Sequence, residues 1–141
     1  MNYTEKLKLK KPSDIDFARI DDLNDNMDQI DKAFTDSEKK SDEVSKELSK
    51  MNRKLTLTFT AAGWSDTAPY TQSVTAAEVT ATDRPERWFD YPASAGEDFD
   101  YDKYSEETSY VTYCETGAGT IKAVCKKDKP TMDIVIVFKG Y

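Results

Sequence analysis

The chain has 141 residues, a formal net charge of −7 and no histidine. An acidic balance argues against a nucleic-acid partner, because neutralising phosphates requires Lys and Arg gathered on one face. The missing imidazole removes the commonest general base and the usual partner of a Ser or Cys nucleophile.

Residues 1–12 read as an N-terminal docking arm. Leu7 and Leu9 alternate with Lys6, Lys8 and Lys10 as in a short strand able to add to a partner's sheet edge. Lys6, Lys8, Lys10 and Lys11 form the one basic cluster, too short to outweigh the acidic remainder and read as a solvated or protein-docking tail. The segment lacks the apolar core of a secretory leader, and no stretch approaches the ~18 apolar residues of a membrane span. Synthesis in the cytosol without membrane insertion is expected.

Pro12, Ser13 and Asp14 are a helix-start signal, with Ser13 as the cap and Asp14 and Asp16 facing the positive end of the dipole. A helix is predicted from residue 13 or 14, and residues 13–54 read as a stalk. Ile20, Leu23, Met27, Ile30, Phe34, Val44, Leu48, Met51 and Leu55 keep a three-four spacing, with Ser37 and Ser41 filling two central steps. So narrow a seam on a charged helix has nothing of its own to bury against and predicts a coiled coil of several copies. Ile and Met at one core position with Leu and Ile at the other depart from the dimer pattern, so a homotrimer is favoured. The two serines either set register and copy number or form a loose patch. Ile15 and Phe17 precede the seam and lie off its register. Leu7, Leu9, Pro12 and Phe17 are the candidate docking residues.

Residues 55–141 read as a β-rich knob. Leu55, Leu57 and Phe59 alternate with Thr56, Thr58 and Thr60 as a half-buried strand. Gly63 and Trp64 turn it, Pro69 opens a strand over 71–82, and a third runs over 87–91. Phe99, Tyr104, Val111 and Tyr113 fit neither period well, and a helix over 102–113 is preferred. Gly117, Ala118 and Gly119 form a turn before a strand over 120–126. The last strand, 133–139, is apolar on both faces and should be central or inter-subunit. The predicted class is α+β: a coiled-coil helix, then a small mainly antiparallel β domain with one short helix.

Chemistry is sparse. Asp98, Asp100 and Asp102 start like a calcium loop, but Lys103 stands where the turn needs Gly and Ser109 where a bidentate Glu belongs, so a solvated acidic loop is expected and no metal. Cys114 and Cys125 are too far apart for a CxxC motif and read as reduced core thiols. Among 27 acidic residues no pair is singled out for acid and base work, so neither an enzyme nor a cofactor is expected. Trp64, Tyr70, Trp88 and Tyr91 are candidates for stacking on sugar rings, with Tyr101, Tyr104 and Tyr110 behind them. Trp64 and Tyr70 suit a core role beside the first strand better; Trp88, flanked by Arg84, Arg87 and Asp90, is the better exposed contact.

The opening Tyr3-Thr4-Glu5-Lys6-Leu7-Lys8-Leu9-Lys10-Lys11-Pro12, then Asp14 and Asp16, then Leu23-Asn24-Asp25-Asn26-Met27-Asp28-Gln29-Ile30-Asp31, resembles the N-terminal module of tail-fibre and baseplate-associated virion proteins from phages and prophages of Gram-positive bacteria. Gly63-Trp64-Ser65, Ala68-Pro69-Tyr70-Thr71-Gln72, Val79-Thr80-Ala81-Thr82-Asp83, Lys129-Pro130, Asp133 and Ile134 resemble a small β domain of the same proteins. The resemblance implies a trimeric virion fibre, anchored by its N-terminus to other virion structural proteins and presenting a β domain to a host cell-wall glycan or to further fibre parts. Host-recognising fibres usually carry a longer distal region, so a decoration or adaptor on the capsid, such as a head fibre, stands as the alternative, as does a cellular coiled-coil adaptor.

Overall fold

The computed structural model describes residues 2–13, 16, 17 and 19–141. Asp14, read above as facing the helix dipole, and Ile15, read as preceding the seam off its register, lie outside these residues. The chain divides into two compact units, Met1–Leu48 and Ser49–Tyr141, each described by itself.

In the first unit, β1 (Asn2–Tyr3) and β2 (Lys10–Lys11) pair antiparallel, with Asn2 opposite Lys11 and Tyr3 opposite Lys10. Helix α1 runs from Ile20 to Asn52, 33 residues, or about 50 Å of rise. It starts later than 13 or 14 because the capping groups serve a turn ahead of it. Asp16 donates its backbone N–H to the Ser13 carbonyl, while its carboxylate accepts from the Ser13 N–H and hydroxyl; these bonds hold the Asp16 carboxyl below the usual range. Asp21 and Asp22 in the first helical turn and Lys50 in the last face the complementary ends of the dipole.

The second unit contains β3 (Lys54–Phe59), a 3₁₀ turn (Ala61–Gly63), β4 (Tyr70–Thr75), β5 (Glu86–Asp90), α2 (Tyr101–Thr108), β6 (Val111–Gly117), β7 (Thr120–Cys125) and β8 (Ile134–Lys139). They form two three-stranded antiparallel sheets, ordered β3-β8-β5 and β4-β7-β6. The period-two faces of both sheets meet in one core. Leu57, Phe59, Ile134, Ile136 and Phe138 pack with Ile121, Ala123, Cys125 and Val111, and Trp64, Val79, Tyr104 and Tyr141 complete the cluster. Strand β8 is central, which is why its side chains are buried on both faces.

Three further boundaries differ from the sequence expectation. Leu55, assigned to the helical seam, lies in β3 and packs against the β core, so the seam ends at Met51. The strand predicted over 71–82 stops at Thr75, where the Ala76 N–H turns to the Gly119 carbonyl and the chain enters turns closed by Val79 N–H to Ala76 and Asp83 N–H to Thr80. The helix predicted over 102–113 ends at Thr108, and Val111 and Tyr113 belong to a strand that pairs with β7 across a tight turn at Ala118 and Gly119. Gly119 has φ of +72°, a conformation that favours glycine. The acidic run serves α2: the Asp100 carboxylate accepts the Lys103 N–H as its N-cap.

Polar groups at the rim join the elements. The buried Glu107 carboxylate accepts the backbone N–H groups of Thr131 and Met132 and the Thr131 hydroxyl. The Tyr104 hydroxyl donates to the Asp90 carbonyl at 2.6 Å and accepts the Val135 N–H at 3.0 Å, bridging α2 to both β5 and β8. Lys50, in the last turn of α1, lies 3.2 Å from the Asp83 carboxylate, Arg53 pairs with Glu78, and the Gly140 N–H donates to the Arg53 carbonyl.

Removing the Glu107 carboxylate strands two part-buried backbone donors, each costing up to roughly 1–3 kcal/mol, the figure for a fully buried unsatisfied donor. Glu107→Ala should therefore lower unfolding stability by about 2–4 kcal/mol, with Glu107→Gln less harmful because one acceptor oxygen remains. Urea titration followed by far-UV circular dichroism checks this, and a native midpoint in Glu107→Ala would contradict it. The Asp83 carboxyl is held below its usual range first by the Thr80 N–H and then by Lys50. Its folded pKa lies below the unfolded one, so its contribution is complete above the ordinary carboxylate range and is lost as pH falls through and below about 4. Asp83→Asn should flatten the acid limb of the melting temperature against pH while leaving its slope above pH 6 unchanged.

Candidate functional site

The first candidate is the face of α1. Ile20, Leu23, Met27, Phe34, Val44, Leu48 and Met51 are exposed, Ile30 is half-buried, and no residue of the helix is buried. Phe34, the largest of them, leaves 67% of its surface to solvent. Isolated exposed apolar side chains are ordinary, but an apolar line repeated along a helix marks an interaction surface. Ser37 and Ser41 are exposed on the same line, with a hydroxyl where neighbouring steps carry hydrocarbon.

The second is the arm on the first turns of α1. Asn26 grips the backbone of Lys10 at both ends: its Oδ1 accepts the Lys10 N–H at 2.7 Å and its Nδ2 donates to the Lys10 carbonyl at 2.9 Å. The Lys10 ammonium bridges Asp22 and Asp25, 2.7 Å from each, and hydrogen bonding to these carboxylates raises its pKa so that it stays charged. The side-chain amide thus occupies the edge of β2 opposite β1. A partner strand approaching from that side finds the Lys10 backbone groups taken. Leu7 and Pro12 are exposed, Leu9 is half-buried, and Phe17 is 93% exposed. Sequence reasoning missed Asn26, Asp22 and Asp25 as a clamp. Their signal was present: Asn and Asp compete with the helical backbone for hydrogen bonds, so three of them in the opening turns of a helix call for a separate role.

The aromatic candidates separate. Trp64 is only 4% exposed and stacks on Phe59, with ring centroids 6.2 Å apart, so it offers no face to a ligand and is withdrawn as a receptor contact. Its Nε1 has no hydrogen-bond partner among the described residues. Tyr70 is half-buried against the core beneath the Lys129 ammonium, 5.4 Å from its ring. Trp88 lies on the face of its sheet opposite the core, across from Val137, with Lys54 5.7 Å over the ring and 40% of its surface exposed. Tyr91, 55% exposed, joins Phe99, Tyr101 and Tyr104 in a cluster of tilted and edge-on rings at 5.0–6.3 Å. No ring contact links that cluster to Trp88 among the described residues. The exposed edges of Tyr91 and Tyr101 therefore form the aromatic surface that the fold assembles, while Trp88 stands apart.

Both cysteines are free. Burial pushes the Cys125 thiol up to about 11, and burial also raises Cys114 against the opposing pull of Arg87. Because the thiolate is the reactive form, both should alkylate slowly in the folded chain at pH 8, half-buried Cys114 ahead of Cys125, and at the rate of a free thiol once urea unfolds it. Timed iodoacetamide labelling with peptide mass mapping reads the order, and labelling of Cys125 ahead of Cys114 would contradict it.

No helix among the described residues is long and apolar enough to cross a membrane. Comparison of the chain with protein-family models, with curated proteins and with solved structures gives no match.

Proposed function

We propose that the protein is a structural fibre component of a phage or phage-like particle. Its helices associate through the α1 seam into a homotrimeric stalk. Its arm and first helical turns dock to another virion structural protein, and its β unit is presented for attachment to a host cell-wall glycan or for joining further virion parts. No enzymatic step, cofactor or nucleic acid enters this reading.

The observation that carries it is the uncovered seam from Ile20 to Met51. A single helix is marginal in water when nothing packs on its apolar face, and most helical stability comes from such packing. A repeat of 3.5 residues is the period at which identical helices wind around one another left-handedly and bury both core positions along their length. A second copy of the same stripe is thus the occupant whose pattern matches step for step. Support for a trimer comes from the core composition, and support for a virion role comes from the resemblance of the opening segment. The Asn26 and Lys10 clamp fits a docking function, because it orders the arm beforehand and lowers the entropy lost on binding.

Light scattering on the 16.0 kDa chain tests it. Wild type should elute at three times that mass. Replacing Ile30 and Phe34 together with Asp should yield monomer with reduced helicity, since an uncompensated carboxylate in a closed seam is strongly unfavourable. A wild-type monomer would overturn the proposal.

A further inference from the structure

In the second unit, β5 is an edge strand of one sheet and β6 an edge strand of the other. Between them lies a cleft of about 530 Å³, with Ile121 and Phe138 among its apolar lining and Arg84, Arg87, Cys114 and Thr116 among its polar lining. Arg87 pairs in register with Phe138, so it occupies the core-facing side at the sheet edge. A register shift between Val111 and Tyr113 turns Cys114 inward, and Arg87 reaches across to the Thr112 carbonyl at 3.3 Å and the Cys114 sulfur at 3.9 Å. Arg84 donates through Nη1 to the carbonyls of Asp83, at 2.7 Å, and Ala81, and more distantly to the Thr116 hydroxyl.

The charges around this cleft are matched unevenly. Asp83 and Glu115 also line it, but Asp83 is engaged by Lys50 and the Thr80 N–H, and Glu115 by Lys122. The two guanidinium groups have only neutral partners among the described residues: carbonyls, a hydroxyl, a thiol and, for Arg87, the Phe89 ring 5.8 Å away. In a chain with 27 acidic residues, two adjacent arginines without a carboxylate are conspicuous, because Arg pairs with carboxylates and phosphates in preference to neutral acceptors. The Nε and Nη2 donors of Arg84 make no hydrogen bond among the described residues. The cleft volume lies within the range of small-molecule sites, which combine apolar walls with a few convergent polar groups.

We propose that this cleft is a binding site for a small molecule of sugar size bearing a carboxylate or a phosphate, with the oxyanion held by Arg84 and Arg87. The inference does not rest on the fibre reading, since a monomeric chain carries the same cleft.

The test uses the full chain with glucuronate, glucose 6-phosphate and uncharged glucose as probes. Calorimetric titration measures affinity, and iodoacetamide labelling of Cys114 reports whether a probe occupies the cleft. Expected is saturable binding of at least one anionic probe at millimolar concentration or below, no comparable binding of glucose, and slower labelling of Cys114 in the bound state. Arg84→Gln and Arg87→Gln should each weaken binding by about tenfold or more, as expected for loss of a charge-assisted contact. The anion preferred identifies a carboxylate or a phosphate as the natural group. Failure of both anions to bind, equal binding of glucose, or unchanged affinity in both variants would overturn the proposal. Should Arg87→Gln fail to fold, Arg84→Gln and the Cys114 readout on the native chain decide the question.

Discussion

A helix whose large apolar residues all lie on one narrow line cannot bury them against itself. In α1 this constraint is unrelieved along 33 residues, from Ile20 to the final turn, and not one side chain of the helix is buried. The flanking positions are mostly Asp, Glu, Lys and Ser, which keep the remaining surface solvated and leave the seam as the place where association can reward helix formation. The local ion pairs available to such a helix contribute only about 0.2–0.5 kcal/mol each. The arm, whose backbone is gripped by Asn26, adds order at the opening turns without covering the seam.

The β unit solves its own burial internally. Strand β8 sits between β3 and β5, and its Ile134, Ile136 and Phe138 meet Ile121, Ala123 and Cys125 of the opposite sheet. With each sheet only three strands wide, the sides are closed by side chains rather than by further strands. Trp64 and Tyr104 cap the core, and Glu107 satisfies the loop that leads into β8. On the side between β5 and β6 the closure is made by arginines instead of hydrocarbon, and this leaves a cleft there.

Much of the architecture was legible in the residues. The three-four spacing of α1, the period-two alternation of β3, the turn at Ala118 and Gly119 and the central position of β8 are local signals, because side-chain periodicity reports directly which face is buried. The errors fell where local signals compete. Ser13 and Asp16 are good capping residues, but they bond to one another, so the helix starts at Ile20. Val111 and Tyr113 have no decisive spacing, and pairing with β7 settles them as strand. Leu55 continues the heptad count across a change of secondary structure, which a count alone does not register.

The candidate sites divide in the same way. The seam residues follow from spacing, since helical geometry alone places positions three and four apart on one face. The arm clamp, the burial of Trp64, the gathering of Tyr91 with Tyr101 and Tyr104, and the approach of Arg84 and Arg87 to β6 depend on residues far apart in the chain. The sequence by itself therefore determined a long amphipathic helix joined to a small β unit and the apolar line along that helix. Only the tertiary structure decided which aromatics reach solvent and which arginines lack a carboxylate, because exposure and pairing are set by where distant strands bring their edges.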